Sequence, residues 1–145
     1  MPARMQLIQS FLAACFPGEA IRLEPITGDA SFRRYFRVHL PQQTLIAMDA
    51  PPPQENCRPF VEIAHLLASA EVNVPQIHAQ DLERGFLLLT DLGTTTYLSA
   101  LNADSASTLF DDAMEALVRW QLASRPGVLP LYDDAFGSDP AYWLA

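Results

Sequence analysis

The 145-residue chain contains no lysine; its nine basic side chains, histidine aside, are all arginine. That excludes the phosphate-binding signature GxxxxGK[ST], whose lysine reaches the outer phosphates. Cysteine is scarce. Cys15 and Cys57 show neither metal-ligand spacing nor a disulfide framework, so a reducing cytoplasm is the expected setting. No apolar run approaches the roughly 18 residues of a membrane span. In the N-terminal MPARMQLIQSFLAACF, Arg4 precedes apolar residues, but Gln6, Gln9 and Ser10 interrupt them and no small-x-small cleavage site follows. This reads as an amphipathic helix rather than a signal peptide. His39, His65 and His78 lie far apart without HExxH spacing, and are expected on a strand face, a helix face and a loop. There is no GxSxG, no repeat and no low-complexity tract.

Positive charge is not only limited but uneven. The formal net charge is −8; residues 1–80 hold seven acidic and six basic groups, residues 81–145 ten acidic and three basic. A polyanion such as nucleic acid needs a broad basic face to release counterions, and the sequence offers none. What it offers is local: Arg33, Arg34 and Arg37 fall within five positions of GDASFRRYFRV. With 50% apolar and 10% aromatic residues, the chain has the means to bury the core of one ordinary domain.

Periodicity supplies the elements. Apolar Met5, Ile8, Leu12 and Cys15, with Leu7 and Phe11 beside them, predict a first helix over 4–15, ended by Pro17-Gly18. Strands are expected at Ala20 to Ile26, Phe32 to Leu40 and Thr44 to Ala50, forming a meander. On the second, Phe32, Arg34, Phe36 and Val38 share one face and Arg33, Tyr35, Arg37 and His39 the other. Pro51 to Pro53 form a stiff connector. A helix from about Arg58 to Ala70 follows, with Phe60, Ile63, Ala64, Leu67 and Ala70 as its buried stripe. Strands near Gln76 to Gln80 and Phe86 to Thr90 come next, then helices near Tyr97 to Leu101 and Ser107 to Ala123. The tail from Pro126 has no clear period. The class is α+β with a largely antiparallel five-stranded sheet.

Three segments carry candidate chemistry. A hairpin turn of Gly28, Asp29, Ala30 and Ser31 can drape backbone N–H groups over a phosphate, with Arg33 or Arg34 adding charge-assisted bonds. The alternative is an ordinary turn before an arginine-bearing surface strand. Arg34, which alternates away from Arg33, is expected to pair with an acidic side chain. In LIAMDAP, Met48 or Asp49 stands where a nucleotide-binding sheet would place a lysine. Asp49 suits either a strand-end carboxylate near a metal or a cap on the proline-rich turn. Glu62 on the following helix suits either an arginine partner or a solvated surface. FLLLTDLG is an apolar strand ending in a polar turn, which can present peptide groups to an adenine edge above Leu87 to Leu89.

Taken in order, DASFRRYFRV, LIAMDAPP, ENCRPFVEIAHLL and VPQIHAQDLERGFLLLTDLG resemble the N-terminal lobe of the aminoglycoside phosphotransferase-like kinases. Within that family the likeness is to the bacterial cell-wall-recycling branch that phosphorylates N-acetylmuramate and N-acetylglucosamine. The helix DDAMEALVRWQ and the segment LPLYDDAF extend it over nearly the whole chain, and Asp-Ala-Pro after the third strand is shared with that branch. The resemblance implies a kinase-like N-lobe over residues 1–93, then hinge-following helices and the start of a helical C-lobe over 94–145. It implies ATP and Mg2+ as cofactors and a small-molecule hydroxyl acceptor as partner. Gly28, Asp29, Ala30, Ser31, Phe32 and Arg33 would lie over the phosphates. Met48 and Asp49 would occupy the lysine strand, Glu62 the helix glutamate region, and Asp91, Leu92 and Gly93 the adenine hinge.

The family's His-x-Asp catalytic loop and metal-holding aspartate have no counterpart, since no histidine follows His78. No catalytic residue is therefore named. The chain is expected to be an N-lobe portion, inactive alone and given to self-association through an exposed lobe surface that includes Phe136, Tyr142 and Trp143. Two alternatives stand beside the amino-sugar reading: an aminoglycoside- or choline-type kinase portion, and a non-catalytic binding or interaction module.

Overall fold

The computed structural model describes residues 2–26 and 32–124. Helix α1 (Pro2–Cys15) leads into β1 (Arg22–Ile26), β2 (Arg34–His39) and β3 (Thr44–Asp49), followed by α2 (Arg58–Ser69), β4 (Ile77–Asp81), β5 (Phe86–Thr90), α3 (Tyr97–Ala100) and α4 (Ala106–Ala123). The sheet order is β1-β2-β3-β5-β4, every neighbouring pair antiparallel. The expected meander and α+β class are thus found, with β5 inserted beside β3 by the α2 crossover.

Local chemistry explains the boundaries. Gly18 at φ 77° takes the left-handed turn after α1. Pro59 sits in the first turn of α2, where its missing N–H costs nothing. Glu71, at φ 58°, ends the C-terminal turn of α2, its N–H donating to the Ala68 carbonyl. A reciprocal pair of bonds between Thr96 and Ser99 caps α3. The β4–β5 turn admits only glycine. At Gly85, φ is 74°, and a Cβ there would lie 1.9 Å from the Ala50 carbonyl oxygen.

Alternation along the strands divides the core in two. On one face Phe36, Val38, Leu45, Ala47, Phe86 and Leu88 meet Ile8, Phe11 and Leu12 of α1; Phe11 stacks on Phe86 with ring centroids 5.7 Å apart. On the other, Met48, Ala50, Leu87 and Leu89 meet Cys57 and Val61 below α2. Each large aliphatic or aromatic side chain among these, fully buried, contributes about 1.5–3 kcal/mol. The α2 stripe is rotated from the expected one: Val61 and Ala64 are buried, while Phe60, Ile63 and Leu67 are half-buried. The cause is Cys57, which enters the core one turn earlier and brings Val61 down with it.

Helix α4 is different. It has no buried residue, and Phe110, Met114, Val118 and Leu122 are exposed. Arg119 ties it to the C-terminal turn of α2, its Nη1 donating to the Glu71 carbonyl at 2.7 Å.

Candidate functional site

The strand register separates Met48 from Asp49. Asp49 points to the α1 face, with no solvent exposure. Arg4 of α1 donates through Nε to its Oδ1 at 2.8 Å, and Arg34, its register partner on β2, donates through Nε to Oδ2 at 3.2 Å and again through Nη2. Arg4 also donates to the Arg84 carbonyl and lies 4.3 Å from the centroid of the Phe86 ring. Both oxygens of this carboxylate are committed to holding α1, β2 and β3 together. The expected acidic partner of Arg34 is found; it is Asp49.

Met48 faces the other way and is fully buried, packed with Leu87, Leu89 and Val61. The same face carries two further ion pairs, one near each end of β2. Arg33 donates through Nε to Glu55 Oε2 at 2.9 Å, just ahead of α2. Burial opposes the charge on Arg33, but Glu55 and Tyr35 outweigh it and hold its pKa above the ordinary value. Four residues along, Arg37 donates through Nε to Asp91 Oδ2 at 2.7 Å and through Nη2 to Oδ1 at 3.3 Å. The Gly93 N–H donates to Asp91 Oδ1 at 2.9 Å, and Arg37 Nη2 reaches the Gly93 carbonyl at 3.4 Å. Arg37 foremost, against some burial and with help from the Gly93 amide and the Thr44 hydroxyl, lowers Asp91 to about 2.

These contacts gather Arg37, Asp91, Leu92 and Gly93 at the end of β5. Leu92 is 58% exposed, and among the described residues its N–H and C=O have no hydrogen-bond partner. At the other end of the face stand Arg33 and Glu55, about 13 Å away along β2 at the usual rise per residue. Phe32 is exposed at the start of this edge. Gly28, Asp29, Ala30 and Ser31 lie outside the described residues, as do Phe136, Tyr142 and Trp143. Glu62 is exposed and makes no ion pair among the described residues. Asp49 is kept from this face by its own register. Sequence reasoning passed over Glu55 and Arg37 as site members. For Glu55 a signal existed, an isolated acid in the PPPQEN connector downstream of an arginine cluster.

Chemically, the face offers a free peptide edge at one end and a guanidinium–carboxylate pair at the other. Among the described residues it offers no nucleophile with a base beside it. His39 pairs with Glu24 at 2.7 Å and His78 with the Thr90 hydroxyl at 3.1 Å. Among the described residues no three His, Cys, Asp or Glu side chains are placed to hold a metal, and no helix is long and apolar enough to cross a membrane.

Residues 22–145 match the model of the phosphotransferase enzyme family, APH. An N-acetylmuramate/N-acetylglucosamine kinase of Pseudomonas putida is 63% identical over 113 residues, covering 78% of this chain and 33% of its own length. One of Pseudomonas aeruginosa is 51% identical over 143 residues, covering 92% and 42%. One of Neisseria meningitidis is 37% identical over 131 residues, covering 87% and 39%. The chain therefore spans between a third and about two fifths of the length of the curated relatives it matches. A five-stranded antiparallel sheet ending in a presented turn fits that match as a kinase-like N-terminal lobe, and the chain belongs to the phosphotransferase enzyme family.

Proposed function

We propose that this chain is the nucleotide-binding portion of an ATP-dependent amino-sugar kinase acting in cytoplasmic cell-wall recycling. The observation that carries the reading is the α2 face, with the Leu92 peptide, unpartnered among the described residues, at one end and Arg33 at the other. Adenine would meet the turn 91–93, and the phosphates would lie toward Arg33 and the preceding segment 28–31. The separation of these two ends suits an extended nucleotide. The relatives' names supply the acceptor class, a hydroxyl of N-acetylmuramate or N-acetylglucosamine. In this reading residues 1–93 form the nucleotide lobe and 94–145 begin the acceptor lobe, which agrees with the unburied α4. That exposed helix also supports self-association when the chain stands alone.

Phosphoryl transfer rests on positioning and charge stabilisation, with a divalent ion bridging the phosphates. The described residues do not fit such an ion, so Mg2+ would draw its ligands from elsewhere. What this chain does is hold the base and neutralise phosphate charge with arginine in place of lysine. For Arg33, recruitment means sharing its guanidinium between Glu55 and the ligand.

Calorimetric titration tests the reading. Arg33→Ala is expected to weaken ATP binding by roughly 1.5–3 kcal/mol, the range for a hydrogen bond to a charged group, and to leave adenosine binding nearly unchanged. Equal losses for the two ligands would sink the phosphate assignment. In an ATP-consumption assay with N-acetylmuramate or N-acetylglucosamine, the 145-residue chain is expected to show no turnover.

A further inference from the structure

We propose that Arg37 is a positioning residue for the nucleobase, fixing the turn 91–93 through Asp91 so that the Leu92 peptide is presented to the base. The inference rests on the nucleotide reading above and adds a residue that touches no ligand. Arg37 lies on β2, two strands away from β5, and passes its register partner Ile46 on β3 to reach the turn. It therefore ties the turn to the middle of the sheet rather than to a neighbouring loop.

The clamp works on both sides of Gly93. Asp91 accepts the Gly93 N–H, while Arg37 donates to Asp91 and to the Gly93 carbonyl. With both peptide groups of Gly93 engaged, the neighbouring Leu92, 58% exposed, keeps an N–H and a C=O that have no hydrogen-bond partner among the described residues. Gly93 sits at φ 88° with open space where a Cβ would be. Nothing steric holds a glycine in that conformation, since it samples both signs of φ readily. The polar contacts of Arg37 and Asp91 select it. The side chain of Arg37 is only 18% exposed and that of Asp91 6%, so water competes poorly for the pair.

A turn that occupies its competent conformation for only a fraction of the time binds more weakly by that fraction. Losing the clamp should thus cost base affinity without touching phosphate affinity. The test is titration of the wild-type chain, Arg37→Ala and Arg37→Lys with adenosine and, separately, with inorganic tripolyphosphate. Exchange of the Gly93 amide is followed by NMR. Arg37→Ala is expected to bind adenosine about tenfold more weakly, as when the competent turn falls to about a tenth of the population, with tripolyphosphate affinity retained and Gly93 exchange accelerated. Arg37→Lys keeps the charge but loses the planar fork, and should fall between. Adenosine affinity unchanged while Gly93 exchange rises would overturn the proposal, as would equal losses for both ligands. Should Arg37→Ala not fold, unaltered adenosine binding by Arg37→Lys overturns it. A wild-type chain that binds no adenosine sinks the nucleotide reading itself and this inference with it, a result separate from a null effect at Arg37.

Discussion

Each face of the sheet holds an aspartate gripped by arginine, and the two differ in what the grip leaves open. Asp49 has no exposed surface, and two guanidiniums from α1 and β2 consume both of its oxygens. Asp91 is nearly as buried, but one of the two oxygens that Arg37 reaches is shared with an amide of its own turn, next to the exposed Leu92. The same chemistry closes a core in one place and braces an edge in the other. Burial and pairing alone do not mark a functional carboxylate; what its contacts hold in position does.

Three changes would break or sharpen this contrast. The largest effect is expected beside Asp49, at Gly85. Its Cβ would meet the Ala50 carbonyl at 1.9 Å and Pro52 Cδ at 3.0 Å, with φ at 74°. Gly85→Ala must move backbone, and should cost about 4 kcal/mol or more, the range reserved for such clashes. A urea midpoint close to wild type would show that the β4–β5 turn is softer than its packing indicates. Next, Asp49→Ala strands two arginines and should cost about 3 kcal/mol in chemical denaturation, as when one partner of a buried pair is removed. Loss of nucleotide affinity beyond that expected from partial unfolding would break the contrast by giving Asp49 a role at the site.

The smallest effect concerns acid. Asp91 has its pKa lowered from the usual 3.8 to about 2 in the fold, chiefly by Arg37. A depressed carboxylate stabilises the fold fully above its unfolded pKa and loses that contribution as pH falls through its folded value. The increment is therefore expected to persist above about pH 4 and to vanish between there and about pH 2. Asp91→Asn should cost about 1 kcal/mol at neutral pH and flatten that part of the acid-unfolding profile. An unchanged profile would mean that Arg37 and Asp91 do not hold each other in solution.

Elements were legible because their signals are local. Alternation in RYFRVH and the apolar run FLLLT gave β2 and β5, and Pro17-Gly18 ended α1. Even the exit of β2 was close, since a strand needs only its own residues to declare a period. The expected stripe of α2 included the buried Ala64 but missed Val61, because Cys57, a small apolar residue before the first turn, carries no periodic signal on its own. The ion pairs were less accessible. Arg34 needed an acid, which alternation suggests, but Arg4 reaches Asp49 across 45 positions and Arg37 reaches Asp91 across 54. No spacing rule spans such distances; the packing of α1 on the sheet brings the first pair together and the sheet order β2-β3-β5 the second. The free Leu92 peptide was foreshadowed by the abrupt Asp-Leu-Gly break, whereas which of its neighbours would be silenced was not.

The family match begins at residue 22, after α1, yet α1 supplies Ile8, Phe11, Leu12 and the guanidinium of Arg4. Conformity to a family and completeness of a folding unit are thus different boundaries in this molecule. Because a buried carboxylate is costly without its partners, the burial of Asp49 on the third strand depends on the first helix being docked. The same helix supplies Ile8 and Leu12 to the core and Arg4 to the carboxylate. The N-terminal helix is then a co-author of the sheet rather than an extension of it, and a chain trimmed to the matched segment would keep the family's sequence while leaving one side of its central layer wet.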